Sequence, residues 1–371
     1  MKENNSYVRL KEIVSDFMIL GSLEDIKPMG NGHINETFLS RWNQSGTAVR
    51  YTHQRINEKV FQRPDQVMEN ISRVTAHIFK KLTDIGISDI SRKALTVVPS
   101  RNGKPWLRDR EGGWWRTYCF IEGSHTDDTA SSPAEAELLG KSVGLFQKQL
   151  ADLGGQRLYE TILNFHNMET RYVNFHKALE KDEFNRAKDA EAEIKFLLEN
   201  ESRGGILIRS LGDGIIPERI CHNDTKLANI LLDNDDNRAL CVIDLDTVMP
   251  GSSLFDLGDL IRTVAATAVE DEQDLLKVGF NPILYKALLK GYLSEAKDFL
   301  VPAEHELLCE SGRNLTQIMG LRFLTDFLEG DHYYRTSHPG HNLDRCRTQI
   351  AMIRSMDEQW AEAVKIAQHL V

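Results

Sequence analysis

The segment Cys221-His222-Asn223-Asp224-Thr225-Lys226-Leu227-Ala228-Asn229 sets a carboxylate and a carboxamide five residues apart, directly before the apolar run Ile230-Leu231-Leu232. A carboxylate held on such a loop can orient or deprotonate a hydroxyl, and an amide oxygen turned back from the loop's end is a hard ligand for a divalent cation. The run Asp233-Asn234-Asp235-Asp236-Asn237 is strongly turn-forming, and Ala239-Leu240-Cys241-Val242-Ile243 reads as a second strand that ends in Asp244-Leu245-Asp246. The resulting hairpin is expected to fold back so that Asp244 lands beside Asn229. Two oxygen ligands at one end of a hairpin suit Mg2+, which takes one or two carboxylates together with phosphate oxygens.

The pattern His-x-Asp-x-x-x-x-Asn has the offsets of the catalytic loop of kinases, where positioning and electrostatics carry most of phosphoryl transfer. On that reading Asp224 is catalytic, and Asn229 and Asp244 hold metal. Asp244 stands where kinases have the Asp of Asp-Phe-Gly, although Leu245 and Asp246 replace Phe and Gly. Upstream, Gly30-Asn31-Gly32 precedes a strand, so the backbone amides around Gly30 and Gly32 are candidates to cradle nucleotide phosphates. Phosphate-loop chemistry of the Walker type is excluded, because the only Gly-Lys-Ser, residues 140 to 142, has Glu135 where the first Gly belongs and lies inside a helical pattern. The strand Tyr51-Thr52-His53-Gln54-Arg55 lacks the phosphate-pairing Lys; Arg55 is the candidate replacement, with Gln54 the competing choice. Glu69 faces away from the apolar stripe of its helix and is a poor partner for that cation. Asp256, near a helix start, is expected to brace the catalytic loop. The His332, His338, His341 and Cys346 region matches no closed four-ligand zinc spacing, which leaves a polar, aromatic loop that binds substrate or a plain surface loop.

The elements that position these residues change character near residue 123. Before it, a hairpin at residues 38 to 52 and further strands at 95 to 98, 105 to 107 and 114 to 121 surround one helix, whose Val67, Ile71, Val74, Ile78 and Leu82 recur at helical spacing. After it the pattern is helical, starting with Ser132-Pro133-Ala134-Glu135, a capping-box signature, and continuing over about 165–180, 188–200, 255–269, 283–296, 303–328 and 344–369. The expectation is therefore an α+β, bilobal protein-kinase-like fold: residues 1–122 form a nucleotide-binding N-lobe, a small antiparallel sheet with one helix. Residues 123–371 form a larger, mainly helical C-lobe with a catalytic β-hairpin. A chain of 371 residues accommodates two such lobes.

A formal net charge of −10 gives no long-range attraction to nucleic acid or anionic membrane, and the basic stretch 101–110 is diluted by Asp109 and a turn. Five irregularly spaced cysteines and an N-terminus broken by Arg9, Lys11, Glu12 and Asp16 point to reduced thiols and a cytoplasmic location. The expected partners are a nucleotide and a small molecule.

The run Gly30 to Asn35, Gln54-Arg55-Ile56-Asn57, Val67 to Ile71, Phe120-Ile121-Glu122-Gly123, His222 to Asn229, Val242 to Gly251 and Arg322-Phe323-Leu324-Thr325-Asp326 resembles the N-acetylhexosamine 1-kinases, anomeric sugar kinases within the aminoglycoside and choline phosphotransferase group. The resemblance implies ATP and Mg2+ as cofactors and attack by the C1 hydroxyl of N-acetylglucosamine or N-acetylgalactosamine, giving a sugar 1-phosphate. It implies sugar contacts at His33, Asp224, Arg322 and Tyr333, and adenine against the backbone from Phe120 to Glu122. An anomeric hydroxyl is more acidic than an ordinary alcohol, so a carboxylate base is adequate. Two other readings stay open on the sequence: a kinase of the same fold for an aminoglycoside, choline or another hexose, and a nucleotide-binding scaffold without activity. A cationic acceptor would want an acidic or aromatic cage.

Overall fold

A computed structural model describes residues 2–30, 34–127, 130–236 and 238–371, with side chains from residue 7 onward. By compactness the chain divides into two units: Met1–His125 with Leu153–Ile162 and Leu231–Met249, and Thr126–Asp152 with Leu163–Ile230 and Pro250–Val371.

The first unit is built on helix α1 (Lys2–Ser15) and strands β1 (Ser22–Pro28), β2 (Glu36–Gln44), β3 (Thr47–Arg55), β4 (Leu107–Arg108) and β5 (Trp114–Cys119). The strands form one antiparallel sheet in the order β1-β2-β3-β5-β4. The β2–β3 turn at Ser45-Gly46 takes two left-handed residues, which a glycine accepts without a Cβ penalty. Alternation buries Trp42, Tyr51 and Trp115 with Ile13, Val14 and Phe17 of the N-terminal segment. Helix α2 (Pro64–Asp84) starts on a proline and buries Val67, Met68, Ile71, Val74, Ile78 and Leu82, while Glu69 is exposed. Residues 95 to 98, expected as a strand, run beside β5 with only two backbone hydrogen bonds, Val98 to Thr117 and Cys119 to Thr96, and a single bridge at Val97. Strand β6 (Ser124–His125) pairs with the first strand of the hairpin β7 (Ile230–Asp233) and β8 (Ala239–Val242). Both α1 and β1 are absent from the sequence expectation.

The second unit is helical: α3 (Pro133–Leu150), α4 (Met168–Lys181), α5 (Ser253–Val264), α6 (Pro282–Ala296), α7 (Leu308–Leu328), α8 (His341–Glu358) and α9 (Trp360–Leu370), with shorter turns over 187–212. Ser132 caps α3 by accepting from the Glu135 amide, but the Glu135 carboxylate reaches one residue further back than a capping box requires, to the Ser131 amide and hydroxyl. Gly140 lies inside α3, where a Cβ would stand 2.1 Å from the Leu288 carbonyl oxygen of α6; its role is close helix packing. The stretches expected as single helices over 303–328 and 344–369 are each broken, at Leu307 and Gln359. Helix α7 is buried on most of its circumference, including Arg313, Asn314, Thr316 and Gln317, so it forms the centre of this unit. No helix among the described residues is long and apolar enough to cross a membrane. All five cysteines are free thiols.

Candidate active site

In the helical unit a short strand, Arg219–Cys221, delivers the loop that carries Asp224. Asp256, in the first turn of α5, braces it: its carboxylate accepts from the backbone amides of His222 (3.0 Å) and Asn223 (2.6 Å) and from the Gln147 side chain (2.9 Å). Its carbonyl oxygen accepts from the Thr225 hydroxyl at 2.6 Å. These bonds hold Asn223 at φ 65°, a left-handed conformation that asparagine tolerates and that turns the next residue outward. Burial pushes the Asp256 carboxyl up, and the bonds from Gln147 and from the His222 and Asn223 amides oppose that shift.

Burial also works against ionisation of Asp224, but Lys226 (Nζ at 3.1 Å), His222 and the Asn229 amide outweigh it and hold the carboxyl below the ordinary range. Asp224 is therefore a carboxylate at neutral pH. The Asn229 Nδ2 donates to the Asp224 carbonyl (2.8 Å) and to its carboxylate (3.1 Å), and among the described residues no hydrogen bond engages the Asn229 Oδ1. The amide is oriented by its nitrogen, and an oxygen so placed would fit a hard cation.

A second layer holds the Asp224 loop from behind. His166, 7% exposed and between the rings of Phe165 and Phe255, donates through Nε2 to the Asn223 carbonyl at 2.8 Å. Burial draws its pKa down to about 3, so the ring stays neutral. Neither His166 nor Phe165 falls in any sequence pattern with the loop, which lies 57 residues further on. Arg322 and Tyr333, expected as sugar contacts, are brought together: the guanidinium lies over the rings of Phe165, Tyr333 and Tyr334 at 5.1, 5.5 and 5.4 Å and reaches the Tyr333 hydroxyl at 3.4 Å. Asp326, a turn beyond Arg322, shapes the tyrosine loop by accepting from the amides of His332, Tyr333 and Tyr334. His338 and His341 pair with Asp344 and Asp271 at 2.9 and 3.0 Å.

In the sheet unit, the hairpin strand β8 leads to Asp244, which has φ 61°. A left-handed aspartate is uncommon and is characteristic of functional sites. Two residues on, Asp246 is 3% exposed and takes both terminal nitrogens of Arg116, from β5, together with the Asn35 amide at 2.6 Å. The Arg116 Nε donates to Gln54 at 2.9 Å. Burial opposes the Arg116 charge, but Asp246 outweighs it and raises the pKa further. The buried cation of this sheet is thus Arg116, which no motif marks, and Gln54 is one of its partners. Arg55 is half-exposed, 3.8 Å from Glu36. Gly30 has φ 70° with open space on its Cβ side; Gly32 and His33 lie outside the described residues. The Phe120 ring lies under Arg50 at 4.1 Å and its amide donates to the Arg50 carbonyl, while Glu122 pairs with Arg50 through its side chain and with Arg92 through its carbonyl. Asn70 of α2 clasps the chain after the hairpin by donating to the Val248 and Tyr159 carbonyls at 2.9 and 2.8 Å.

Among solved structures, an aminoglycoside phosphotransferase from Alicyclobacillus acidocaldarius is similar at 12% identity, covering 97% of this chain and 96% of that one, with a TM-score of 0.59. Plasmodium vivax ethanolamine kinase is similar at 16% identity over 88% and 82% of the two chains, with a TM-score of 0.55. An ADP-bound aminoglycoside phosphotransferase of type 2″-Ib is similar at 13% identity over 90% and 94%, with a TM-score of 0.50. These likenesses establish the α+β kinase-like fold, an antiparallel sheet lobe and a helical lobe. Residues 25–298 match the model of the phosphotransferase enzyme family, a span that holds Asp224, Asn229 and Asp244 alike, and the chain belongs to that family.

Proposed function

We propose that this chain is an ATP- and Mg2+-dependent anomeric sugar kinase that phosphorylates the C1 hydroxyl of N-acetylglucosamine or N-acetylgalactosamine. The observation that carries the reading is Asp224, a carboxylate kept ionised by Lys226 on a loop braced by Asp256 and His166. A carboxylate of low basicity suits an anomeric hydroxyl, which gives up its proton more readily than an ordinary alcohol. Arg322 and Tyr333 support a sugar acceptor, since a guanidinium offers donors to hydroxyls and a half-exposed tyrosine offers both a ring face and a hydroxyl.

In this reading residues 1–122 bind the nucleotide, with Gly30 and Gly32 at the phosphates, Arg55 near them, and the backbone from Phe120 to Glu122 at the adenine. The ADP-bound relative supports a nucleoside triphosphate as donor. Residues 123–371 orient the acceptor. Asn229 and Asp244 would hold Mg2+, which when bound neutralises charge on the transferred group. Asp224 accepts the C1 hydroxyl proton as the oxygen attacks the γ-phosphorus; the bond to ADP breaks and ADP leaves with the electron pair.

The test is ADP release with ATP, Mg2+ and a panel of free sugars, followed by phosphorus NMR of the product. A sugar 1-phosphate from either N-acetylhexosamine is the expected result. Turnover confined to choline or an aminoglycoside would sink the sugar reading. Asp224→Asn should lower kcat at least about 10²-fold with little change in ATP affinity; full turnover by that variant would remove Asp224 from the chemistry.

A further inference from the structure

Beside Arg322 stands a side chain that no motif includes. Arg171, on α4, donates through Nε and Nη2 to the Phe165 carbonyl at 3.3 and 2.8 Å, so one residue holds both guanidiniums, Arg171 by its carbonyl and Arg322 by its ring. Both arginines are half-buried, and neither makes an ion pair among the described residues. Burial and the Arg322 charge together draw the Arg171 pKa down to about 10, whereas Tyr334, Tyr333 and the Asp224 charge outweigh burial and hold the Arg322 pKa up.

They line a cavity of about 260 Å³, close to the lower end of small-molecule sites. Lys177 and Lys181 of α4 line it too, against the carboxylates of Glu183, Asp326 and Glu329. Asp326 is committed to three backbone amides and the Asn342 side chain. Glu329 is pushed up by burial and by Asp326, which makes it the weakest of the anions. Four cations therefore face three carboxylates, a net excess of one positive charge on the lining. Such a cavity repels a cationic acceptor. The Nη1 side of Arg171, whose Nε and Nη2 face the Phe165 carbonyl, and the guanidinium of Arg322 can by contrast donate to the oxygens of a carboxylate, sulfate or phosphate. Both arginines touch Phe165, whose neighbour His166 bonds Asn223 beside Asp224.

The geometry points to an oxyanion subsite in which Arg171 and Arg322 hold an acidic substituent of the acceptor, so that the preferred substrate is an acidic N-acetylhexosamine derivative rather than the neutral sugar. This rests on the sugar-kinase reading above, and the two fail separately. The experiment compares kcat/KM for N-acetylglucosamine, its 6-sulfate, its 6-phosphate and glucosamine, in the wild type and in Arg171→Gln and Arg171→Lys, with the product located by phosphorus NMR. The wild type should favour the acidic sugars over N-acetylglucosamine by about 10-fold or more, with glucosamine poorest. That ratio should collapse in Arg171→Gln and be partly kept in Arg171→Lys, which retains charge but not the fork. Equal or better use of the neutral sugar by the wild type overturns the subsite and leaves the sugar kinase standing. A preference for acidic sugars with phosphate placed away from C1 overturns the anomeric reading and keeps the subsite. If no sugar turns over, calorimetric titration of N-acetylglucosamine 6-sulfate and of inorganic sulfate decides. Binding weakened about 10-fold or more by Arg171→Gln supports the subsite, and no binding to the wild type overturns it.

Discussion

The sheet unit buries the Arg116 guanidinium and the helical unit half-buries those of Arg171 and Arg322, and the two sites do opposite things with their charge. In the sheet unit Arg116, 1% exposed, spends its donors on Asp246 and Gln54, and the aspartate's remaining capacity goes to Asn35. In the helical unit Arg171 and Arg322 lean on a carbonyl and three rings, and neither makes an ion pair among the described residues. The desolvation cost of a charge is offset internally in the first case and left partly open in the second. A closed pair fixes structure: it ties β5, the segment before β2 and the residues after the hairpin into one piece. An open pair is a place for a ligand's charge.

The largest effect expected from this contrast is on stability. Asp246→Ala leaves a fully buried arginine without its counter-ion and should destabilise the fold by about 3–5 kcal/mol. Urea unfolding of the variant would show it as a lowered midpoint. The double variant Arg116→Met, Asp246→Leu should recover most of the loss, because it removes both charges. A small effect of Asp246→Ala would mean that Arg116 is served by other groups and that the pair is not closed.

The same contrast recurs in two histidines. His53, in the sheet, is bonded at both ring nitrogens, to Ser40 at 2.6 Å and Thr117 at 2.8 Å, whereas His166 is bonded at Nε2 and its buried Nδ1 has no hydrogen-bond partner among the described residues. Burial draws both pKa values down to about 3. The unfolded value is near 6.5, so the stability each contributes is complete above about pH 6.5 and is lost as the pH falls towards 3. At pH 5 the loss is about 2 kcal/mol for each. His53→Gln should shrink the drop in unfolding free energy between pH 7 and pH 5 by that amount. An unchanged drop would show that His53 is not held neutral.

Sequence legibility followed locality. Asp224, Asn229 and Asp244 stood out as candidates because short, fixed offsets on a loop and a hairpin are local patterns, and the α2 stripe and the Ser132 cap were readable because helical period and capping are local rules. Arg116 was not, because in Trp-Trp-Arg-Thr-Tyr it reads as the polar member of an alternating strand, and its partner lies 130 residues away. Phe165, His166 and Arg171 were hidden for the same reason. Their meaning comes from packing against the catalytic loop and α7. The breaks at Leu307 and Gln359 were also illegible, since apolar periodicity runs on through both while the backbone turns. Helix α1 carries too weak an apolar face to announce itself, and it is held by packing Ile13 and Val14 against the sheet.

The smallest predicted effect is the most discriminating. Arg171→Gln removes two hydrogen bonds to Phe165 but also relieves the repulsion from Arg322, and no carboxylate is left unpaired by the change. Its stability should stay within about 1 kcal/mol of the wild type, against the several kcal/mol expected at Asp246. Inorganic sulfate should raise the melting temperature of the wild type by mass action on the folded state, and raise it less in Arg171→Gln. A loss of 3 kcal/mol or more on this substitution would mean that Arg171 is already partnered within the protein. The two arginine sites would then be alike, both closed, and the cavity of the helical unit would have no unmet charge for an acceptor to satisfy.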